Sequence, residues 1–363
     1  MADGSIPSSM RAVAVNSFGE IPRVMRIPVP MPGPGEVLVR LHAAALNPFD
    51  WTIAQGWVAE RAPHVFPLIL GVDGAGLVVR CGPGVQRFQV GDALYGAFLH
   101  PPYGRGTLAE YVAVPVTAAI ASAPHTIALP VAAAAATAGM SALALLELSC
   151  LAETQSVLIV GATGGVGSFA TQFGRRLGAR VIATAQPSAA ARMRSLGAAA
   201  TIDHSAGPLA AQLAPLEPDG IDVLLDLVSD AGAFAANLSL LKIGGHAVST
   251  RYAATPNTPN ERGVTVTNLD ITGQHAGLAL LTRLTAAIDT GRLEIPITSE
   301  LSLEQAPAAL AAAHHRGARG KTLIAILDSS KSGSSESPVL TQPDQRAEGD
   351  VAAPVGRLRR RPG

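Results

Sequence analysis

The spacing of apolar positions changes twice along this chain. Between Met10 and about Thr126, apolar residues alternate or bunch in short runs, at Arg11–Val15, Glu36–His42, Gly76–Arg80 and Leu108–Val114. Glycine and proline separate them. Pro28, Pro30, Pro32 and Pro34 make a stiff connector ahead of Gly35, Cys81–Gly84 reads as a turn, and Val90–Gly96 enters a further strand. Short strands with frequent breakers predict a compact, largely antiparallel β domain.

From about Leu129 the period becomes helical. An alanine-rich helix is expected over Pro130–Leu148, with Pro130 suited to its first turn. Val157–Val160 then gives four consecutive apolar residues, three of them β-branched, as in a buried strand. A glycine turn follows over Gly161–Gly167, then a helix over Ser168–Gly178 with Phe169, Ala170, Phe173 and Leu177 on one face, then a strand over Arg180–Ala185. Further strands are expected at Ala200–Asp203, Ile221–Val228 and Gly245–Ser249, with helices over 188–196, 208–215 and 230–241. This βα alternation predicts a parallel, doubly wound sheet. Val264–Ile271 reads as a last, edge strand, followed by amphipathic helices over Leu278–Ile288 and 303–315 and a final strand over Lys321–Leu327. Beyond Asp328 the apolar content collapses, so residues 328–363 are expected as a disordered tail. Its closing Arg357, Arg359, Arg360 and Arg361 are a solvated charge run or a weak patch for an anionic partner.

The glycine turn carries the chemistry. Between a buried strand and a helix, Gly161 permits the tight turn, Gly164 lets the backbone approach a pyrophosphate, and Gly167 allows helix and strand to pack closely. Thr163, Gly165 and Val166 complete the cradle, and phosphate would sit on free N–H groups at the positive helix end. A dinucleotide site is expected. A site for NAD usually ends its second strand in Asp or Glu to hold the ribose 2′-hydroxyl. No acidic residue lies between Glu153 and Asp203; the strand runs into Gln186, Pro187 and Ser188, with Arg192 and Arg194 beyond. Ser188 and an arginine suit a 2′-phosphate, although a solvated helix face also explains either arginine. The missing acid favours NADPH.

Composition removes several alternatives. Of 363 residues, 48% are hydrophobic and 15% charged, with zero formal net charge, which supports about two globular domains and neither nucleic-acid nor anionic-membrane binding. Cys81 and Cys150 form neither a disulfide framework nor a zinc knuckle and fit a reducing compartment. Met1–Met10 lacks the apolar core of a signal peptide, and no apolar window is long enough to span a bilayer. The expectation is a soluble, cytoplasmic protein.

With these pieces placed, the chain resembles the medium-chain dehydrogenase/reductase superfamily, in its zinc-free quinone oxidoreductase-like branch. The resemblance covers about residues 10–327. It rests on Ala45–Asp50, Gly71–Gly76, Val90–Asp92, Gly106–Tyr111, Thr137–Ser141, the glycine turn, Leu241–Gly245 and Gly317–Lys321, in the family's order. It implies an α/β architecture: a GroES-like β domain over 10–126, a Rossmann NADP-binding domain with a doubly wound parallel sheet over 127–275, and a return to the first domain over 276–327. The active site would lie in the cleft between them. Zinc-dependent members hold a catalytic metal through cysteine, histidine and cysteine, at positions that resemble Asn47, Val72 and Thr137 here. None of these supplies thiolate, imidazole or carboxylate, and the four cysteines of a structural zinc lobe are absent, so no metal is expected.

The resemblance also implies roles for residues. Asn47 would face the nicotinamide or the substrate oxygen, Asp50 would brace its loop, and Ser141 would stand beside the nicotinamide. A local Asx-turn at Pro48 accounts for Asn47 and Asp50 as well. Leu227, Val228, Ser249 and Thr250 would follow strand ends along the cofactor crevice, and Arg319 and Lys321 resemble a late basic contact with the cofactor. Related reductases carry a lysine and a tyrosine for the 2′-phosphate where this chain has Ala189 and His204; Arg192 and His204 are the substitutes. Tyr95, His100 and Tyr103 border the substrate or simply pack. Without a Lewis acid, the chemistry implied is hydride transfer from NADPH to a quinone or to the C=C bond of an α,β-unsaturated carbonyl. The alternatives are an enoyl-thioester reductase of a biosynthetic pathway and a non-catalytic NADPH-binding module. Val264–Ile271 resembles the strand through which family members pair, so a homodimer acting on a small molecule is expected.

Overall fold

The computed structural model describes residues 6–255, 258, 262–270, 277–316 and 319–327, and for 313–316 the backbone alone. The expected tail and Ile271 of the expected edge strand lie outside these residues.

The first part of the chain runs β1 (Ser9–Val15), β2 (Arg23–Pro28), β3 (Glu36–Ala45), helix α1 (Pro48–Ala54), β4 (Leu68–Ile69), β5 (Asp73–Cys81), β6 (Ala93–Ala97), β7 (Tyr111–Pro115) and β8 (Ala119–Ser122). Next come α2 (Leu129–Ala132), α3 (Ala136–Leu148), β9 (Ser156–Val160), α4 (Gly165–Leu177), β10 (Arg180–Thr184), α5 (Pro187–Ser195), β11 (Ala200–Ile202), α6 (Leu209–Leu213), β12 (Ile221–Asp226), α7 (Ala231–Asn237), β13 (Leu241–Ser249) and β14 (Thr265–Asn268). The chain then passes through α8 (Leu278–Asp289), β15 (Ile297–Ser302), α9 (Ala306–Arg316) and β16 (Lys321–Ala325).

Among the described residues, β9 to β14 form a six-stranded parallel sheet in the order β11-β10-β9-β12-β13-β14. This is the doubly wound dinucleotide-binding order, with its reversal between β9 and β12. Alternate residues of the central strands serve two cores. Val157, Ile159, Val181 and Ala183 face one side, and Leu158, Val160 and Ile182 the other. Covering both faces with helices explains why these strands read as continuous apolar runs. Helix α4 ends where Gly178 turns left-handed (φ 88°), a cap that other residues adopt only with strain.

The other strands are mostly antiparallel, with β15-β16-β3-β5-β6-β8 in one sheet, where β15 and β16 alone run parallel, β7 also paired to β3, and β2-β1-β4 in a separate sheet. Strand β16 pairs antiparallel with the end of β3, so the last part of the chain joins the sheet formed by the first. This return brings Lys321–Ala325 beside Ala43–Asn47.

Several elements differ from expectation. The alanine run is two helices, because a turn over 133–135 lets α2 lie against β3 and β5 while α3 packs on α4 and α8. Helix α3 is buried almost all round, and a Cβ on its Gly139 would lie 2.6 Å from Leu284 Cδ1 of α8. The expected helix to residue 241 ends at Asn237, and after one 3₁₀ turn β13 begins at Leu241. Gly244 and Gly245 sit inside that strand, where its register against β12 shifts. Strands β2, β4, β8 and β15 and helix α1 were not expected. Seven residues of α1 are too few to show a period, and its buried Asp50 disguises the apolar face.

Buried Gln172 fastens α4 to the segment before β15: its Nε2 donates to Glu294 O at 3.0 Å and its Oε1 accepts the Glu294 N–H at 2.8 Å. Gln172→Ala removes both bonds and should lower the unfolding free energy by about 2 kcal/mol, read as a lower urea midpoint at constant m-value.

Candidate active site and dinucleotide crevice

The glycine turn lies at the carboxyl end of β9, on the edge where doubly wound sheets bind ligands. Gly161 has φ 86° and its N–H donates to Thr184 Oγ1 at 2.9 Å. A Cβ on Gly167 would lie 2.5 Å from Ala162 Cα, so only glycine allows α4 to start this close to β9. Gly164 is the N-cap of α4, and no side chain caps that helix. The first-turn N–H groups of Gly165, Val166 and Gly167 therefore begin a thirteen-residue helix with its positive end open, which fits the phosphates of a dinucleotide.

Around this turn, Leu227 follows β12 and its N–H donates to Val160 O at 3.0 Å; Val228 is exposed. Ser249, at the end of β13, is buried, with its hydroxyl accepting the N–H groups of Arg251 and Ala253. Ser188 is exposed in the first turn of α5, again a helix without a side-chain cap. Gln186, the N-cap of α5, accepts at its Oε1 a hydrogen bond of 2.8 Å from Arg319 Nη2. Arg192 instead lies 3.7 Å from Glu294 Oε1, and exposed His204 follows Asp203, whose carboxylate binds Ser205. Of the basic candidates for the ribose end, Arg319 is thus the one joined to the end of β10.

A cleft of about 390 Å³ opens between residues of the first β part of the chain and helix α3. Its apolar wall includes Phe49, Val72, Leu99 and Met140, and its polar lining Asn47, His100, Tyr103, Thr117, Thr137 and Ser141. Asn47 and Ser141 are therefore brought together, as are Asn47, Val72 and Thr137. Ser141 is buried in α3, and its hydroxyl takes part in no hydrogen bond among the described residues. His100 Nδ1 lies 3.1 Å from Pro101 O, while its Nε2 is buried without a partner. Tyr95 is outside this lining: its hydroxyl pairs with Thr285 Oγ1 at 2.7 Å, and burial pushes its pKa up to about 12.

Asn47 borders the cleft with its amide already engaged. Nδ2 donates to Asp73 Oδ2 at 3.0 Å and reaches Ala45 O at 3.4 Å, and Oδ1 accepts from Lys321 Nζ at 2.6 Å. The ammonium of Lys321 donates also to Leu46 O at 2.9 Å and lies 3.3 Å from Asp73 Oδ2. Asp73 completes its shell with the N–H and hydroxyl of Thr137. Sequence reasoning gave Asp73 and Thr137 no part in this network. The available signal was one acid in the otherwise apolar stretch Gly71–Gly76. Neither amide, ammonium nor hydroxyl in this arrangement suits zinc, and among the described residues no three His, Cys, Asp or Glu side chains are grouped to hold a metal.

Asp50 is wholly buried in α1. Its Oδ2 accepts the Asn47 N–H at 2.7 Å, bracing the helix entry, and its Oδ1 has no partner. Burial pushes its carboxyl up to about 7, aided by the charge of Asp73 and opposed by the Asn47 N–H and Lys321.

Comparison with known proteins bears on this geometry. A family model described as alcohol dehydrogenase GroES-like domain matches residues 33–125, and one described as zinc-binding dehydrogenase matches 196–324. The chloroplastic quinone-oxidoreductase QR1 of Triphysaria versicolor is 31% identical, over 87% of this chain and 98% of its own. The 2-methylene-furan-3-one reductase of Solanum lycopersicum is 32% identical, over 73% of this chain and 67% of its own. The solved structure of mycobacterial Rv1454c complexed with NADPH has a TM-score of 0.76 at 25% identity, covering 88% of this chain and all of that one.

Asp50 generates a pH prediction. Its folded value near 7 exceeds the ordinary 3.8, so its stabilising contribution is fully present below about pH 3.8 and is lost as pH rises through about 7. Asp50→Asn keeps an acceptor for the Asn47 N–H and cannot ionise. Between pH 4 and 8 wild-type stability should fall relative to this variant by on the order of a few kcal/mol, measured by chemical denaturation.

Proposed function

The chain belongs to the medium-chain dehydrogenase/reductase superfamily, in its quinone oxidoreductase-like branch, and from that premise we propose that it reduces a quinone or an α,β-unsaturated carbonyl with NADPH and without zinc. As a member of this branch it is an NAD(P)H-dependent oxidoreductase. The observation that carries the finer reading is the cleft itself, where Asn47, Val72 and Thr137 meet without a metal ligand among them. Bound reduced nicotinamide supplies a hydride. The protein then has to orient the acceptor, exclude water and offer hydrogen bonds to an oxygen that gains negative charge. Phe49, Val72, Leu99 and Met140 give a dry wall for a flat conjugated acceptor, and the hydroxyl of Ser141 is one of the cleft's donors without a protein partner among the described residues. An enolate or quinol oxygen asks no more than such neutral donors, whereas removing a proton from an alcohol without a Lewis acid asks much more. The proton that completes the reduction comes from water or from the imidazole of His100, which lines the same cleft.

Cofactor choice follows from the ribose end. No carboxylate stands at the end of β10 to repel a 2′-phosphate, and Ser188 and Arg319 flank Gln186. The enoyl-thioester alternative gains no support, because no lysine or arginine is among the described residues lining the cleft. Strand β14 is one of the two outer strands of the six-stranded sheet among the described residues, which supports the proposal of a homodimer through that edge. No helix among the described residues is long and apolar enough to cross a membrane, and a cytoplasmic location is part of the proposal.

The assay follows reduced-nicotinamide absorbance with a benzoquinone, an enone and a crotonyl thioester, with chelator in parallel. The quinone or enone should be reduced with NADPH at undiminished rate in chelator, and with NADH at least about tenfold less efficiently. Turnover of the thioester alone, or loss of activity in chelator, refutes the proposal. Ser141→Ala should lower kcat/KM about tenfold, equivalent to ~1.4 kcal/mol of transition-state stabilisation.

A further inference from the structure

Lys321 carries a buried charge where the cleft meets the glycine turn. It is 4% exposed, and Asp73 beside it is wholly buried. Together they grip the Asn47 amide at both ends, the ammonium on Oδ1 at 2.6 Å and the carboxylate on Nδ2 at 3.0 Å. Turned over, the amide would set N–H against ammonium and carbonyl against carboxylate, exchanging two charge-assisted hydrogen bonds for two repulsions. One orientation is therefore enforced at the cleft wall.

The same side chain reaches the other half of the site. A Cβ on Gly165 would lie 2.7 Å from Lys321 Cδ, so the lysine stem lies directly against the first turn of α4. The preceding residue is tied there too, with the Gly320 N–H donating to Thr163 O at 2.8 Å.

We propose that Lys321 is a positioning residue for hydride transfer: it locks the Asn47 amide at the cleft wall and fastens that wall to the turn on which the cofactor's phosphates would sit. The inference rests on the reductase reading above. It gives the lysine an indirect role, through Asn47 and Gly165, in setting the distance between hydride donor and acceptor. A displacement of about 1 Å at that distance is enough to slow such a reaction a hundredfold.

The test uses the full chain with both charges removed, K321M/D73N, since K321M alone strands a buried carboxylate. In the double variant the amide that replaces the Asp73 carboxylate keeps its carbonyl on the donors of Thr137, so its N–H groups face Asn47 and turn that side chain over. The expected variant is folded by circular dichroism and binds NADPH within about threefold of wild type, with kcat at least about thirtyfold lower and acceptor KM little changed. Emission of the bound reduced nicotinamide should move toward that of free NADPH. In an N47A background the same pair of substitutions should have no further effect on kcat, because the group through which Lys321 acts is gone. A folded double variant with wild-type kcat and emission overturns the proposal, as do kcat losses that add independently to that of N47A. If the double variant does not fold, N47A decides: retained fold with reduced kcat supports the inference, and wild-type kcat refutes it. Should wild type reduce none of the acceptors, the proposed reaction fails, and the emission of bound NADPH still judges Lys321.

Discussion

A buried ion pair between Lys321 and Asp73 is the contact on which the site depends. Taking two charges out of water is costly, and mutual attraction repays it only when neighbouring groups satisfy the remaining donors and acceptors. Here those neighbours are Leu46 O, the Asn47 amide and both donors of Thr137. The ends of four elements are thereby drawn to one point: the loop after β3, the start of β5, the start of α3 and the start of β16. Such a network has little tolerance, because losing any partner leaves a buried charge short of a bond. The positions that resemble zinc ligands in the family occupy this same point, so an organic cation and its hydrogen bonds fill the polar floor there.

Two carboxyl groups near this floor stand in different surroundings. Asp73 has a cation and three further donors, whereas Asp50 has backbone donation at one oxygen and nothing at the other. Burial without a paired cation is why Asp50 titrates near 7. Asp73 therefore orients its neighbours through these contacts, while Asp50 braces the entry of α1 with a carboxyl whose charge depends on pH. Similar side chains acquire different tasks from their environments.

What the sequence discloses here divides by the range of the interaction. The glycine turn was legible because its signals are local: four buried strand residues, glycines at fixed offsets and an apolar helical face all fall between Val157 and Gly178. The parallel sheet was legible for the same reason. Asp73 was not, since its partners Asn47, Thr137 and Lys321 come from elsewhere in the chain, the last of them 248 residues away. Nor did sequence reveal that Arg192 faces Glu294, or that both ends of the Asn47 amide are engaged, because both depend on how the last strand returns to the first sheet. The alanine run misled for a physical reason: the turn at 133–135 is buried alanine and α3 is buried almost all round, so no polar stripe marks the break between the two helices.

That return also explains how one short segment serves the whole crevice. Residues 319–321 are consecutive, yet Arg319 reaches Gln186 at the end of β10, Gly320 bonds the glycine turn at Thr163, and Lys321 enters the cleft floor. These are the places expected for the adenosine ribose, the pyrophosphate and the nicotinamide. Gly320 is suited to the middle position because its φ is 67° and a Cβ there would lie 2.4 Å from Pro296 O. With the ribose end, the phosphate turn and the reacting end bound to three adjacent residues, none of them shifts without pulling on the others. The spacing of a dinucleotide along the sheet edge is in this way tied to the geometry of the cleft, through backbone rather than through the ligand.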